Sequence, residues 1–326
     1  MSKIRVAFLG TPDFAVVALK KILQDEHYEV VGVVTQPDRP SGRKLNLTPS
    51  PVKQLALAHG LHVICPESVN KDFILQEIQK WGAEVAIVVA FGQILSQRFL
   101  DLFPFGAVNV HGSLLPKWRG AAPIQRSVEA GEAETGVALQ KIVRELDAGD
   151  VLGVRKLTVD PNETAIELHD RLAVLGADLL CVELMDFLRG NLVPVAQDAT
   201  QATFAKKLDK AESLIDWSKS AISIHNKIRA FTMGPGTYTI FKGKKLKIHR
   251  TKVVEANKLS ESTRNEMIAS KFQPVQLVRL SADSLWILTG NGVIEILEVQ
   301  PESKTKMKVG DFVRGQDLQL GLEFNQ

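Results

Sequence analysis

AVNVHGSLLPKWRGAAPIQR, residues 107–126, is the stretch on which the reading of this chain turns. It runs a short apolar strand into an Asn-x-His pair and then into a loop bearing Gly112, Pro116, Arg119 and Gly120. Side chains at i and i+2 of an extended strand project from one face, so Asn109 and His111 converge on one reacting group. An amide donates hydrogen bonds to a developing oxyanion and an imidazole exchanges a proton near neutral pH, which together meet the demands of a tetrahedral intermediate. A strand that ends in a glycine-bearing loop is also where an open α/β sheet holds its ligand. Asn-x-His by itself closes many ordinary strands. A third polar group separates the two readings: Asp147, in RELDAGD, is followed directly by Ala148, Gly149 and Asp150, a turn-forming cluster that aims a carboxylate.

On either side of this stretch the pattern is α/β. Apolar, β-branched runs at 4–9, 30–35, 85–90 and 107–110 alternate with amphipathic stretches, which predicts a Rossmann-like, mainly parallel sheet covered on both faces. Helices are expected from about 12 to 24, from 51 to 60 and from 72 to 81, the last stopped by Gly82. Extended segments follow at 136–143 and 151–159, then a long helix over 164–188 with acidic residues early and Arg189-Gly190 at its end. Residues 190–206 carry little periodicity and read as a linker. Beyond it, a helix is expected over 215–231 and short strands over 237–252, 275–280, 285–289 and 293–300, with turns at 242–244 and 290–292. The expected division is therefore a first domain over 1–189, a linker over 190–206 and a small basic β-barrel over 207–326. Oligonucleotide-binding (OB-like) barrels are one such architecture.

Composition sets limits. A chain of 326 residues with 45% hydrophobic content exceeds the usual size of a single core. Its two cysteines, Cys65 and Cys181, have neither metal-ligand nor redox spacing, which points to a reducing cytoplasm and no structural zinc. The first apolar run is cut short by Gly10-Thr11-Pro12-Asp13, so it reads as neither a signal peptide nor a membrane span. Net charge is only +3, but residues 201–260 hold 13 Lys or Arg against 4 Asp or Glu, leaving −6 for the remainder. That asymmetry points to a polyanionic partner, or, on the plainer reading, to a solvated basic face. FLGTPDFA has one of the three glycines of a dinucleotide fingerprint, which argues against nicotinamide or flavin binding. His27, His59, His62, His169, His225 and His249 lack partners at metal spacing, so no metal is expected.

NVHGSLLPKWRGAAPIQR together with LDAGD resembles the folate-dependent formyltransferases, whose shared triad is Asn, His and Asp. FLGTPDFA, VTQPDRPSGR (residues 34–43) and IDWSKSA are similar to the branch of that family that acts on methionyl-tRNA, and the resemblance spans nearly the whole chain. The glycinamide ribonucleotide branch shares Asn-x-His and SLLP, but it is shorter and typically has Pro where this chain has Gly112. Two local departures stand out: Ser96 where the family often has Pro, and TMGPGTY at 232–238 after IRAF.

The resemblance implies transfer of the formyl group of 10-formyltetrahydrofolate to the α-amino group of methionyl initiator tRNA, giving N-formylmethionyl-tRNA for translation initiation. It assigns Asn109 to the oxyanion, His111 to a charge-assisted bond, and Asp147 to holding His111 protonated and positioning a relay water. Phe91, Gly92, Ile94 and Leu95, with Ser113, Leu114, Leu115 and Pro116, are the implied folate contacts. The long loop at 36–51 corresponds to one that reaches the acceptor stem in the family, with Arg43 on its functional arginine and Arg39 and Lys44 beside it. Lys206, Lys207, Lys242, Lys244, Lys245, Lys247 and Arg250 complete the RNA-binding candidates. Trp118 and Arg119 either help seat the acceptor or pack the loop. A cytoplasmic monomer is expected. Two alternatives stay open: a formyltransferase for a small amine, and an RNA-binding protein without catalysis.

Overall fold

The apolar run IRVAFLG becomes a central strand because it is buried on both faces and has neighbours on both edges. In the computed structural model, which describes residues 3–41, 46–255, 261, 274–281 and 283–324, the contacts divide the chain into two compact units. The first comprises Met1–Pro123, Glu134–Thr158 and His169–Ala205; the second comprises Ile124–Ala133, Val159–Leu168 and Lys206–Gln326.

In chain order the strands of the first unit are β1 (Ile4–Gly10), β2 (Tyr28–Val34), β3 (Arg39–Ser41), β4 (Asn46–Thr48), β5 (Val63–Ile64), β6 (Val85–Val89), β7 (Ala107–His111), β8 (Arg119–Gly120), β9 (Glu134–Lys141), β10 (Val151–Thr158) and β11 (Phe204–Ala205). One sheet has the order β10-β9-β7-β6-β1-β2-β5; pairing is parallel from β7 through β5 and antiparallel at β9 and β10. The helices α1 (Asp13–Gln24), α2 (Pro51–Ala58) and α3 (Asp72–Lys80) fall where the periodicity places them. Short helices α4 (Gln97–Leu100) and α5 (Pro123–Glu129) were not expected; each has too few turns for a periodic signal. The long helix α6 (Ala165–Leu188) lies close to β7: a Cβ on Gly176 would sit 2.7 Å from Val110 Cγ1, so only glycine permits this approach. The long loop at 36–51 is drawn together at its described ends, where β3 pairs antiparallel with β4 and Lys53 bonds Asp38 at 2.8 Å.

The second unit contains β12 (Thr237–Phe241), β13 (Lys244–Val253), β14 (Leu277–Ser281), β15 (Ser284–Leu288), β16 (Val293–Pro301) and β17 (Met307–Lys308). They form an antiparallel sheet of order β12-β13-β16-β15-β14, with β17 on β16. Register shifts at Ile248/Arg250 and Arg250/Thr251 bend β13, as bulges do, and the sheet curls into an OB-like half-barrel. Inside it Phe241 packs edge-on against Phe312, centroids 5.5 Å apart, and tilted against Phe324 at 5.1 Å. Lys242 and Gly243, both at positive φ, make the expected tight hairpin turn.

The helix expected over 215–231 is shorter, α7 (Ala221–Ala230), capped by Ser220. Residues before it are taken by other bonds. Ile215 N–H donates to Tyr238, Asp216 accepts from the Ser218 backbone N–H, and buried Trp217 donates to Thr239 Oγ1. Two segments of the first half belong to the second unit because its polar groups hold them. His225 donates from Nε2 to the Pro161 carbonyl at 2.9 Å and accepts at Nδ1 from Thr251; Arg229 donates to the Glu163 carbonyl; Arg126 forks onto Glu212. A carbonyl only accepts, which fixes the His225 tautomer.

His225 is 3% exposed, and burial lowers its pKa from 6.5. A histidine kept neutral by the fold but free to protonate when unfolded stabilises above its ordinary pKa and loses that contribution as pH falls below it. His249 adds a contribution of the same sign, lowered mainly by burial. Unfolding of this unit, followed by denaturant titration across that range, is therefore expected to become easier as pH drops below 6.5, with a shallower pH dependence in His225→Gln. An equally steep dependence in the variant would count against the bonding described.

Candidate active site

The site begins at the carboxyl end of β7. There Asn109 lies opposite Val88 of β6 and Gln140 of β9, and His111 lies opposite Ala138. Paired residues of an antiparallel ladder point to the same face, so Asn109, His111 and Gln140 share one face of the sheet. Asn109 is half-buried, and among the described residues its amide has no hydrogen-bond partner. It is a donor near the carboxyl end of an interior strand, left free.

His111 is 5% exposed. Its Nε2 lies 2.9 Å from the Trp118 carbonyl, and because a carbonyl accepts, Nε2 carries the hydrogen. That bond fixes the ring and leaves Nδ1 as the nitrogen facing Asp147. Nδ1 lies 3.7 Å from Asp147 Oδ1, beyond a direct hydrogen bond but within the span of a small bridging group such as water. Asp147 sits at φ +49°, and its carboxylate accepts from the Gly120 N–H at 2.8 Å and from Gln140 Nε2 at 2.9 Å. Gly120 has to be glycine: it sits at φ +123°, and a Cβ there would lie 2.8 Å from the Ala205 carbonyl oxygen.

The structure thus brings Asn109, His111 and Asp147 together. It also shows residues that the sequence did not single out: Gln140, the Gly120 amide, the Trp118 carbonyl, and Gln197 behind them. Gln140 had one weak signal, a polar residue in the otherwise apolar strand GVALQ. Gln197 had none, lying in the aperiodic stretch. Arg119 is 4% exposed and bonds Gln197 through both Nε and Nη2, so it is packed inside the loop and not open to an acceptor. The Trp118 backbone N–H donates to Thr203 Oγ1, while its indole Nε1–H is buried and has no partner among the described residues.

Loops leaving the parallel neighbours β6 and β7 emerge at the same edge of the sheet. After β6, Phe91 is buried and its carbonyl accepts from Thr11 and Gln36, Gly92 turns at φ +85°, Ile94 is 87% exposed, and Leu95 packs on the core. Ser96 caps α4 by accepting from Phe99 N–H, which accounts locally for Ser at this position. After β7, Ser113 is buried and donates to the Lys117 carbonyl, Leu115 is buried, and Leu114 and Pro116 are half-buried.

Among the basic candidates, Arg39 is exposed and pairs with Glu67 at 3.2 Å; Arg43 and Lys44 lie outside the described residues. Lys206 and Lys207 are exposed, with their carbonyls accepting from Arg126. Lys242, Lys244, Lys245 and Lys247 are exposed along the β12–β13 hairpin, and Lys245 Nζ lies 4.4 Å over the Tyr238 ring. Arg250, also exposed, is partly committed to Glu167 at 2.9 Å. Among the described residues no helix is long and apolar enough to cross a membrane.

Comparison with known proteins agrees with this architecture. Residues 3–184 match the family model for formyl transferase, and residues 207–317 match that for the formyl transferase C-terminal domain. The methionyl-tRNA formyltransferase of Bdellovibrio bacteriovorus is 58% identical over 98% of both chains, and that of Symbiobacterium thermophilum is 41% identical over 99% of this chain and 95% of its own. Among solved structures, the sugar 3N-formyl transferase WlaRD superposes with a TM-score of 0.64 at 19% identity, over 94% of this chain and all of its own, a likeness of fold. The chain belongs to the formyl transferase family, alongside relatives named methionyl-tRNA formyltransferase.

Proposed function

We propose that this protein transfers the formyl group of 10-formyltetrahydrofolate to the α-amino group of methionyl initiator tRNA, with Asn109, His111 and Asp147 as catalytic residues. The observation that carries the reading is the half-buried, unpartnered Asn109 amide on the same sheet face as a ring-locked histidine with a carboxylate beside its free nitrogen. The neutral amine attacks the formyl carbon and forms a C–N bond, giving a tetrahedral oxyanion. Asn109 donates to that oxygen, and protonated His111 donates from Nδ1. Asp147 positions a water alongside its carboxylate; the proton leaving the amine passes through it to the folate nitrogen as the bond from that nitrogen to the formyl carbon breaks. No metal is needed for this sequence of steps.

The donor side fits the loops after β6 and β7. Ile94, Leu114, Leu115 and Pro116 supply an apolar wall with Phe91, Gly92, Leu95 and Ser113 shaping the turns behind it, the usual make-up of a small-molecule site. For the acceptor, residues 1–189 act as the catalytic domain, and residues 207–326, joined through 190–206, grip the tRNA. Lys242, Lys244, Lys245 and Lys247, with Lys206, Lys207 and Arg250, contact phosphates, and Tyr238 beside Lys245 offers an aromatic face. Arg39, Arg43 and Lys44 add contacts from the 36–51 loop.

Asn109→Ala is expected to fold and to lose roughly a hundred- to a thousandfold in turnover, the usual consequence of removing one oxyanion donor. Near-normal turnover would sink the assignment. Labelled 10-formyltetrahydrofolate, offered methionyl-tRNA, free methionine and an amino-sugar nucleotide in parallel, is expected to formylate methionyl-tRNA alone; preferential labelling of either small amine would refute the acceptor. For the basic face, the double variant Lys245→Ala, Lys247→Ala should weaken tRNA binding and lower the slope of log affinity against log salt by about 1 per lysine. A slope equal to the parent's would place the phosphates elsewhere.

A further inference from the structure

Behind the triad lies a second layer of polar side chains, all within the first unit, that no step of the proposed reaction uses. Gln197 donates from Nε2 to the carbonyl oxygens of Asp147 at 2.8 Å and Gly149 at 2.7 Å, with a longer approach of 3.3 Å to Gln140 Oε1. Its Oε1 accepts from Arg119 Nε at 3.1 Å and Nη2 at 2.8 Å. Every donor and acceptor of this amide is engaged. The partners are the main chain of the residue carrying the carboxylate, the glycine two positions on, and the arginine next to the Gly120 amide that holds Asp147 Oδ2.

A buried guanidinium is ordinarily best matched by a carboxylate, which takes both arms of the fork. Here Arg119 meets a neutral amide; its contact to a carboxylate, Glu145, is 3.9 Å long with Glu145 exposed. Glutamate at 197 would satisfy Arg119 better but would aim a negative oxygen at two carbonyl oxygens. The amide is therefore explained by its N–H groups, not by Arg119. What those N–H groups hold is a residue in the left-handed region, where a side-chain-bearing residue is disfavoured and persists only if its surroundings fix it. Gly149 is held equally closely, since a Cβ there would lie 1.8 Å from the Lys141 carbonyl oxygen.

We propose that Gln197, braced by Arg119, is a positioning residue that sets the distance between the Asp147 carboxylate and His111 Nδ1. The proposal rests on the assignment of Asp147 as catalytic. The test measures kcat and KM for methionyl-tRNA, the pH profile of kcat and the thermal midpoint in Gln197→Glu, Gln197→Ala, Asp147→Asn and the double variant Gln197→Glu, Asp147→Asn.

Gln197→Glu is expected to lower kcat by on the order of 100-fold, the scale of a misplaced catalytic group, with KM within about twofold and an altered pH profile of kcat. Gln197→Ala, which adds no charge, should show the same split and serves if the glutamate variant does not fold. In the Asp147→Asn background, Gln197→Glu should cost no more than about threefold further, because residues that act as one unit are not additive. Parental kcat and pH profile in both Gln197 variants, with Asp147→Asn impaired, would overturn the positioning role alone. Fully multiplicative losses in the double variant would do the same by showing an effect that does not pass through Asp147. Parental turnover in Asp147→Asn would overturn both this role and the assignment beneath it.

Discussion

The carboxylate of Asp147 joins pieces of chain that are far apart in sequence. One oxygen takes the backbone N–H of Gly120 in the loop after β7, the other takes the Gln140 amide from β9, and the same oxygen lies beside the His111 ring at the end of β7. Hydrogen bonds to a charged group contribute about 1.5–3 kcal/mol each, and a buried carboxylate left without them is far worse than none. The loop is folded to supply them: Gly120 takes a conformation and a closeness to Ala205 that no other residue tolerates. The constraint that organises the site is thus also one that organises the fold around it.

The histidine obeys a complementary constraint. Its ring is pinned by a main-chain carbonyl and so cannot turn to either tautomer at will. One nitrogen is structural and the other faces the carboxylate. Asn109, next on the same face, is held only by its strand, which leaves both of its N–H donors for a ligand. A rigid sheet edge with donors already in place is what electrostatic catalysis requires, because nothing has to reorganise as charge develops. The second unit follows a different logic. Its core is aromatic and aliphatic, its outer hairpin face is lysine-rich, and polar anchors such as His225 and Arg229 grip segments from the first half of the chain.

Much of this was legible in the sequence, for physical reasons that can be named. Buried parallel strands announce themselves as short β-branched runs, and those at 4–9, 85–90 and 107–110 are β1, β6 and β7. Asn109, His111 and Asp147 were legible because strand geometry and turn chemistry act locally. The supporting residues were not. Gln140 and Gln197 matter through bonds to residues 7 to 78 positions away, and no periodicity encodes such pairs. The stretch after 190 looked structureless for the same reason: its shape comes from side chains bonding main chain, and it still contributes Gln197 and a strand paired to β8. The helix expected from 215 starts at 221 because Ile215 and Trp217 bond Tyr238 and Thr239, and Asp216 is tied into a local turn with Ser218.

The central claim is that the fold fixes His111 with its hydrogen on Nε2, so that Nδ1 works with Asp147. Nitrogen-15 NMR of the histidine side chains, with His111 assigned through its loss in His111→Gln, reads this directly. The account predicts that neutral His111 is the Nε2–H tautomer, with a correlation from that hydrogen to the Trp118 carbonyl, and that Nδ1 is the nitrogen whose shift responds when Asp147 is replaced by Asn. A neutral ring carrying its hydrogen on Nδ1, or an Nδ1 signal indifferent to Asp147, would contradict it.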